Sequence, residues 1–273
     1  MVEQKPSIMK MFEIKSVKEE FESNKTFFLE EFIDCKPGQF VMVWLPGVDE
    51  KPFSLMNIGG KSAINLEVKG KWSKELFAKK QGEKIGLRGP FGKGFETNGI
   101  KRACIVGGGV GTVPLMGLLE ELKKNGAKTT FVLGARSKNR LLFEKKIKET
   151  ADELVVCTDD GTAGKKGFVT DALKELFGKK KFDCVFTCGP EMMMYNVFKL
   201  CEKEKIQVQA SLERFMKCGF GVCAACMVDD VILCADGPVL FSKTLSRLKE
   251  FGKTAYLKSG RRCDLKTFYE WKT

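Results

Sequence analysis

There is no histidine among the 273 residues of this chain. Imidazole is the side chain that ordinarily changes charge near neutral pH, so every catalytic scheme resting on it is excluded. A Rieske cluster and a histidine-ligated zinc go with it. Chemistry must therefore come from a bound cofactor, from cysteines or from carboxylates. Long apolar runs are also missing. The longest weakly polar stretch, residues 103–119, is broken by five glycines and by Pro114, too short and irregular to span a membrane. Residues 1–11 are polar and lack the continuous apolar region of a secretory signal. A cytoplasmic protein without a membrane partner is expected.

What is present in excess is lysine. Lysine and arginine outnumber aspartate and glutamate by 47 to 35, a net charge of +12. The clusters at Lys79-Lys80, Lys123-Lys124, Lys165-Lys166 and residues 179–181 read as a solvated surface. A nucleic-acid face prefers arginines interleaved with aromatics, and no such stripe occurs, so no nucleic-acid partner is expected. Attraction to an anionic partner or a phosphate-bearing cofactor stays open. The hydrophobic fraction of 43% is that of a soluble globular chain, with room for about two full-sized cores.

Eleven cysteines is a high and odd number. Cys35, Cys104, Cys157, Cys184 and Cys201 are scattered through apolar or helical stretches and read as small buried hydrophobes in a reducing compartment. Four others are concentrated as Cys218-x4-Cys223-x2-Cys226-x7-Cys234. The first three repeat the spacing by which plant-type ferredoxins hold a [2Fe–2S] cluster. Gly219 and Gly221 let the loop take positive φ and bring N–H groups against sulfur. Ala224 and Ala225 leave room for a metal. Residues 227–233 read as a hairpin around Asp229-Asp230, which returns Cys234 to the other three. A structural zinc held by four cysteines competes. Zinc ribbons use two C-x2-C knuckles, however, and only one is present.

Residues 12–88 read as short strands at 26–32, 39–45, 64–68 and 84–88, punctuated by Pro37-Gly38, Pro46-Gly47 and Gly59-Gly60. That pattern suggests a small antiparallel barrel. A glycine-rich stretch, residues 89–95, ends the run. From Lys101 strands and helices alternate, as in a parallel sheet with crossover helices. Strands are expected at 103–106, 129–133, 154–158 and 182–187, and helices at 112–124, 141–149 and 170–177. The texture changes again from about Ser211. Three spans result: 1–97, 98–208 and 209–273.

Between the strand at 103–106 and its helix lie Gly107, Gly108, Gly109, Gly111 and Thr112. Glycines at a helix N-terminus let a pyrophosphate sit against free N–H groups. A tight packing turn is the alternative. Pro114 and the glycine spacing depart from the Rossmann fingerprint. The second strand ends in Gly134-Ala135-Arg136-Ser137-Lys138, where a carboxylate would select NAD, so NADP is not excluded. Cys188, Gly189 and Pro190 follow the strand at 182–187, and Asp159, Asp160 and Gly161 follow the strand at 154–158. These ends border the crevice where open α/β sheets take ligands.

With these residues in hand, the chain resembles the ferredoxin-NADP-reductase-type flavoproteins, and among them the electron transfer subunits of dihydroorotate dehydrogenase B. Pro37-Gly38-Gln39-Phe40 and then Lys51, Pro52, Phe53 and Ser54 are similar to that family's PGQF and RPxS segments. The resemblance implies that position 51 meets the FAD pyrophosphate, with Ser54 near the flavin ring. It also assigns Glu67, Val68, Gly70, Trp72 and Ser73 to the FAD site. Here Lys51 stands for arginine, a point charge for a planar fork, and Trp72 and Ser73 replace smaller or threonine residues. Residues 107–114 match the nicotinamide loop, and Cys188-Gly189-Pro190 the CGP motif near the nicotinamide. Residues 211–226 and 234–238 resemble the family's [2Fe–2S] domain, including the short spacing to the fourth cysteine.

The resemblance implies an FAD-binding barrel over 1–97, a Rossmann-like NAD domain over 98–208 and a cluster domain over 209–273. It implies an NAD-linked oxidoreductase subunit of pyrimidine biosynthesis. Its partner would be an FMN-bearing catalytic subunit, two of each in a heterotetramer. No catalytic residue of orotate formation is expected in this chain. Flavin subunits of a hydrogenase, a sulfide dehydrogenase or an NADH-dependent ferredoxin:NADP oxidoreductase share the architecture. The last tends to carry aspartate at the place of Cys218. A zinc-stabilised basic nucleic-acid adaptor leaves the glycine turn and the CGP and KPFS segments unexplained.

Overall fold

A computed structural model describes residues 8–272, with side chains up to Glu270. Most of residues 1–11, where a signal was sought, and the Trp271 side chain of the aromatic tail lie outside the described residues. The chain forms two compact units that do not follow chain order. One takes the described residues up to Gly94 together with Glu213–Val239 and the chain from Lys249 on. The other takes Phe95–Leu212 and Leu240–Leu248. Residues 240–248 of the expected third span thus belong to the second unit.

In the first unit, β1 (Lys10–Phe21), β2 (Asn24–Leu29), β3 (Phe40–Leu45), β4 (Asp49–Ser54), β5 (Met56–Ile58), β6 (Lys61–Glu67) and β7 (Lys84–Phe91) make one sheet. Its order is β4-β3-β7-β1-β2-β6-β5, antiparallel throughout. Ile14, Phe27, Val41, Val43, Ile64, Leu66, Ile85 and Leu87 point into a common core. Each such side chain removed from water contributes roughly 2 kcal/mol. The helix α1 (Lys71–Ala78) closes that core with Trp72 and Leu76.

Two sequence expectations are corrected by the fold. The first strand is 12 residues long rather than short, because its pairing passes from β7 to β2 along its length. The glycine-rich stretch does not end the run, since β7 continues through Gly89 and Pro90 to Phe91. The segment Gly70-Lys71-Trp72-Ser73, which the resemblance assigns to the FAD site, caps and starts α1.

The second unit is a parallel sheet built on β8 (Arg102–Gly108) and α2 (Val113–Lys124), which a 3₁₀ turn over Gly109–Thr112 joins. Then follow β9 (Lys128–Ala135), α3 (Glu144–Thr150), β10 (Glu153–Thr158), β11 (Lys165–Lys166), α4 (Val169–Phe177), β12 (Cys184–Cys188), α5 (Glu191–Glu204) and β13 (Gln207–Ser211). The strand order is β11-β10-β9-β8-β12-β13, with a last strand from the C-terminal region beside β13. Pro114 opens α2, where its missing N–H costs nothing, and Lys123 and Lys124 suit the negative end of the helix dipole. The helix α5 was not foreseen. Its buried Met194, Val197, Phe198 and Cys201 keep i, i+3, i+4, i+7 spacing. Gly107 and Gly108 belong to β8, and Cys188 closes β12, because parallel pairing with Gly107 carries the strand one residue further.

The remaining elements are short: β14 (Met227–Val228), β15 (Val231–Ile232), α6 (Leu233–Asp236), β16 (Val239–Phe241), α7 (Ser242–Leu245), β17 (Thr254–Tyr256), β18 (Arg262–Asp264) and α8 (Leu265–Lys272). The hairpin at 227–233 forms as expected, except that Leu233 already starts α6. Ala255, Leu265 and Phe268 give β17, β18 and α8 a small core of their own.

Candidate cofactor and iron–sulfur sites

The four thiols come together in two pairs. The thiol and N–H of Cys223 reach the Cys218 sulfur, and Val222 N–H also points at it, 3.4 Å away. The Cys234 N–H lies 3.3 Å from Cys226 Sγ, and the two side chains hydrogen-bond to one another. Gly221 N–H links the halves, 3.1 Å from Cys234 Sγ. Burial raises the Cys218 thiol, but bonds from the Cys223, Phe220 and Val222 backbone outweigh it and bring it down to about 6. The bond from Cys234, opposed by burial, lowers Cys226 to about 7. Cys234 moves the other way, because it keeps the proton that the pair shares. Thiolates poised near neutrality are what metal ligation requires.

Among the described residues no three His, Cys, Asp or Glu side chains close around one point. Tetrahedral zinc needs four sulfurs about 2.3 Å from a single ion. Two pairs bridged by backbone N–H groups fit a group with two metal ends better. Gly219 (φ +81) is required where it stands, since a Cβ there would lie 2.9 Å from Met42 of β3. Phe220 packs on Phe91, with the Arg88 guanidinium over both rings. That guanidinium is held by Glu50 through two bonds of 2.6 and 2.7 Å. The sequence reading missed this pair, which joins strands 38 residues apart without any local pattern. The thiol loop is therefore seated on the antiparallel sheet.

The expected FAD residues also meet in the first unit. Lys51, Pro52, Phe53 and Ser54 form the end of β4, which lies against β6. Glu67 ends β6, Val68 follows it, and Gly70 caps α1. Trp72 stacks on Phe53 at 5.3 Å and donates from its indole to the Asp49 carbonyl at 2.8 Å. Ser73 Oγ accepts from the Lys69 and Gly70 amides, both at 2.8 Å. These two side chains thus hold the helix start in place. Nothing lies within 4 Å of the Cβ position of Gly70, so the N-terminus of α1 is open there, and the Trp72 indole ties that helix to Asp49, whose carboxylate Lys51 engages. An open helix start fits a phosphate. Lys51 Nζ sits 2.6 Å from Asp49 and 6.0 Å from the Phe215 ring.

In the second unit, Gly107, Gly108, Gly109, Gly111 and Thr112 meet Cys188, Gly189 and Pro190 at adjacent strand ends. A Cβ on Gly111 would lie 2.4 Å from Gly189 N, and one on Gly108 2.7 Å from Met193 Sδ. Gly109 has φ +54 and nothing within 4 Å. Close backbone packing below and open space above make a cradle for a diphosphate at the head of α2. Thr112 Oγ1 is buried beside Gly107 without a hydrogen-bond partner among the described residues. Asp160 lies two strands away, past the end of β10, its carboxylate accepting from Thr162 N and Oγ1 at 2.9 and 2.7 Å. Those bonds hold its pKa below the usual carboxylate value. The Asp160 N–H donates to the Arg136 carbonyl, just past the end of β9, at 3.2 Å.

Comparison with known proteins agrees with this geometry. Residues 105–199 match the family described as an oxidoreductase NAD-binding domain, and residues 213–246 the iron–sulfur cluster binding domain of dihydroorotate dehydrogenase B. A Methanocaldococcus jannaschii protein named "Probable dihydroorotate dehydrogenase B (NAD(+)), electron transfer subunit" is 44% identical, over 91% of this chain and 96% of its own. A Pyrococcus furiosus protein of the same name is 40% identical over 87% and 92%. The solved structure of an NADH-dependent reduced ferredoxin-NADP oxidoreductase superposes with a TM-score of 0.79 at 32% identity, covering 86% of this chain and 89% of that one. The chain belongs to the family of dihydroorotate dehydrogenase B electron transfer subunits.

Proposed function

We propose that this chain is the electron-carrying half of a cytoplasmic, two-subunit dihydroorotate dehydrogenase B, serving pyrimidine synthesis. An FMN-bearing partner oxidises dihydroorotate, and this chain delivers the electrons to NAD+. In this reading residues 1–97 are the FAD-binding barrel, 98–208 the nicotinamide domain and 209–273 the [2Fe–2S] region, and two copies of each subunit make a heterotetramer. When bound, a cluster supplies one-electron transfer, a flavin couples single electrons to hydride, and a nicotinamide takes the hydride.

The residues divide the work of holding these groups. Cys218 with Cys223, and Cys226 with Cys234, are the two ends of the cluster site. Lys51 and the first amides of α1 would hold the FAD diphosphate, and Phe53 and Ser54 would belong to the flavin site. The amides after Gly108 would hold the nicotinamide nucleotide, with Cys188-Gly189-Pro190 as part of the same site. Histidine is absent, so no imidazole proton relay exists in this chain, which suits a carrier rather than the orotate-forming subunit.

The observation that carries the reading is the paired thiol loop seated on the antiparallel sheet. Purified anaerobically and alone, the chain is expected to show NADH-dependent dye reduction and no orotate formation. Orotate made by the single chain contradicts this division of labour. The 0.79 TM-score neighbour, an NADH-dependent reduced ferredoxin-NADP oxidoreductase, favours a second reading, in which the same wiring serves another donor; a hydrogenase or sulfide dehydrogenase subunit would belong to the same reading. The identity of the co-purifying subunit separates the two: an FMN protein supports the first, a hydrogenase subunit the second.

A further inference from the structure

Between Cys226 and Cys234 the chain makes the β14–β15 hairpin, two residue pairs long. A ribbon that short has little stability of its own in water. Its turn residue Asp229 sits at φ +50, unfavourable for a side chain with a Cβ. Something outside the hairpin must hold it, and that group is Glu250. The Asp229 N–H donates to Glu250 Oε2 at 3.0 Å, and the Glu250 N–H donates back to Asp229 Oδ2 at 3.0 Å. The Glu250 side chain is only 5% exposed. Its other oxygen accepts from the Tyr256 hydroxyl at 3.0 Å and faces Arg262 Nε at 3.3 Å. The β17–β18 ribbon thereby aims a carboxylate at the end of the hairpin away from the thiols. The same β17 strand reaches the other side of the thiol loop. Buried Arg214, four residues before Cys218, donates to the Thr254 carbonyl at 3.4 Å. Glu250 and everything after it lie outside the matched iron–sulfur segment, residues 213–246.

We propose that Glu250 is a positioning residue for the cluster thiols: its carboxylate locks the hairpin turn at Asp229 and so sets the spacing of Cys226 and Cys234. The inference rests on the reading that the four cysteines hold an iron–sulfur cluster. What matters in this arrangement is reach. Glu250→Gln keeps an oxygen for the Asp229 amide and turns an N–H toward the Tyr256 oxygen; it gives up the ion pair with Arg262, whose Nε keeps Thr254 Oγ1 as acceptor at 3.1 Å. Glu250→Asp keeps the charge but withdraws it by one methylene.

The test uses full-length holoprotein prepared anaerobically and assayed for iron, acid-labile sulfide and flavin. It is then challenged with an iron chelator while the cluster absorbance is followed, and the reduced protein is examined by EPR. Glu250→Gln is expected to lose its cluster at close to the wild-type rate, and Glu250→Asp about ten-fold faster with a shifted or broadened signal. Flavin content should stay the same in all three. Equal loss from Glu250→Asp and wild type overturns the proposal. So does a Gln variant as labile as the Asp variant, because charge rather than reach would then be the cause. Loss of flavin together with the cluster overturns it too, since the carboxylate would then support the whole unit. Wild-type protein without iron and sulfide defeats the cluster reading itself, a different result from any of these.

Discussion

The glycine turn of the parallel sheet and the thiol loop on the antiparallel sheet bind by opposite means. At the turn, side chains are excluded: Gly108, Gly111 and Gly189 let backbone pack on backbone, and regular elements on both sides fix every position. At the loop, side chains are the proposed ligands, and the loop itself has little regular structure. The strands nearest in sequence are two residues each. A site made of backbone can be destroyed by adding a methyl group. A site made of side chains fails when the distant contacts that aim them are removed. The first is therefore sensitive to volume and the second to tethering.

The sharpest way to break this comparison lies in the turn itself. For Gly111→Ala the new Cβ would meet Gly189 N at 2.4 Å and the Cys188 carbonyl carbon at 2.5 Å, both backbone atoms that cannot rotate away. The expected cost is about 3 kcal/mol, with loss of NADH binding. Gly109→Ala meets nothing within 4 Å and pays only for its φ of +54, about 1 kcal/mol. Urea unfolding of the full chain and NADH titration check both. If the two variants behave alike, close packing is not what builds the cradle.

The same contrast explains what could be read from the sequence. The turn was legible because a buried strand, glycines and an apolar helix are consecutive, so local pattern and tertiary site coincide. The cysteine spacing was legible for the same reason, and so was the hairpin around Asp229. The Glu250–Asp229 and Arg88–Glu50 pairs were not, since partners 21 and 38 residues apart leave no periodic trace. The helix α1 was hidden by its length, eight residues with Trp72, Ser73 and Leu76 as its buried side chains. The helix α5 could have been found, because Met194, Val197, Phe198 and Cys201 keep helical spacing after Pro190. Asp160 was proposed from its place after a strand end, but order along the chain does not tell how far that strand lies from β8.

A smaller effect separates the thiols from one another. In metal-free protein the Cys218 thiol, ordinarily near 9.0, titrates near 6, because burial is outweighed by the N–H groups of its own loop. Its folded-state value lies below its unfolded value. The stabilisation it gives is therefore full above 9.0, shrinks as pH falls, and is gone below about 6. Cys263, raised by burial and by Asp264, stays protonated over that range. Iodoacetamide labelling read by mass spectrometry should therefore modify Cys218 well before Cys263 as pH is raised from 5. Parallel labelling of the two would mean that the loop amides do not act on the sulfur.

The smallest effect concerns the third site, where neither extreme applies. Lys51 is a proposed side-chain ligand held on a regular strand, and its ammonium is already engaged by Asp49 at 2.6 Å. Burial raises the Asp49 carboxyl, but the bond from Lys51 and the Glu50 amide outweigh it and hold it below its usual value. One ammonium must then serve both a carboxylate and an incoming phosphate. Lys51→Arg replaces the point charge with a planar fork that can keep one N–H on Asp49 and offer another to the phosphate. Both groups are partly solvated, so the gain should be modest, about 0.5 kcal/mol or a two-fold tighter FAD. Flavin fluorescence during titration of the FAD-free protein measures it. Weaker FAD binding by the arginine variant would mean that Lys51 serves Asp49 alone, and that the diphosphate is held by the α1 amides without a cation.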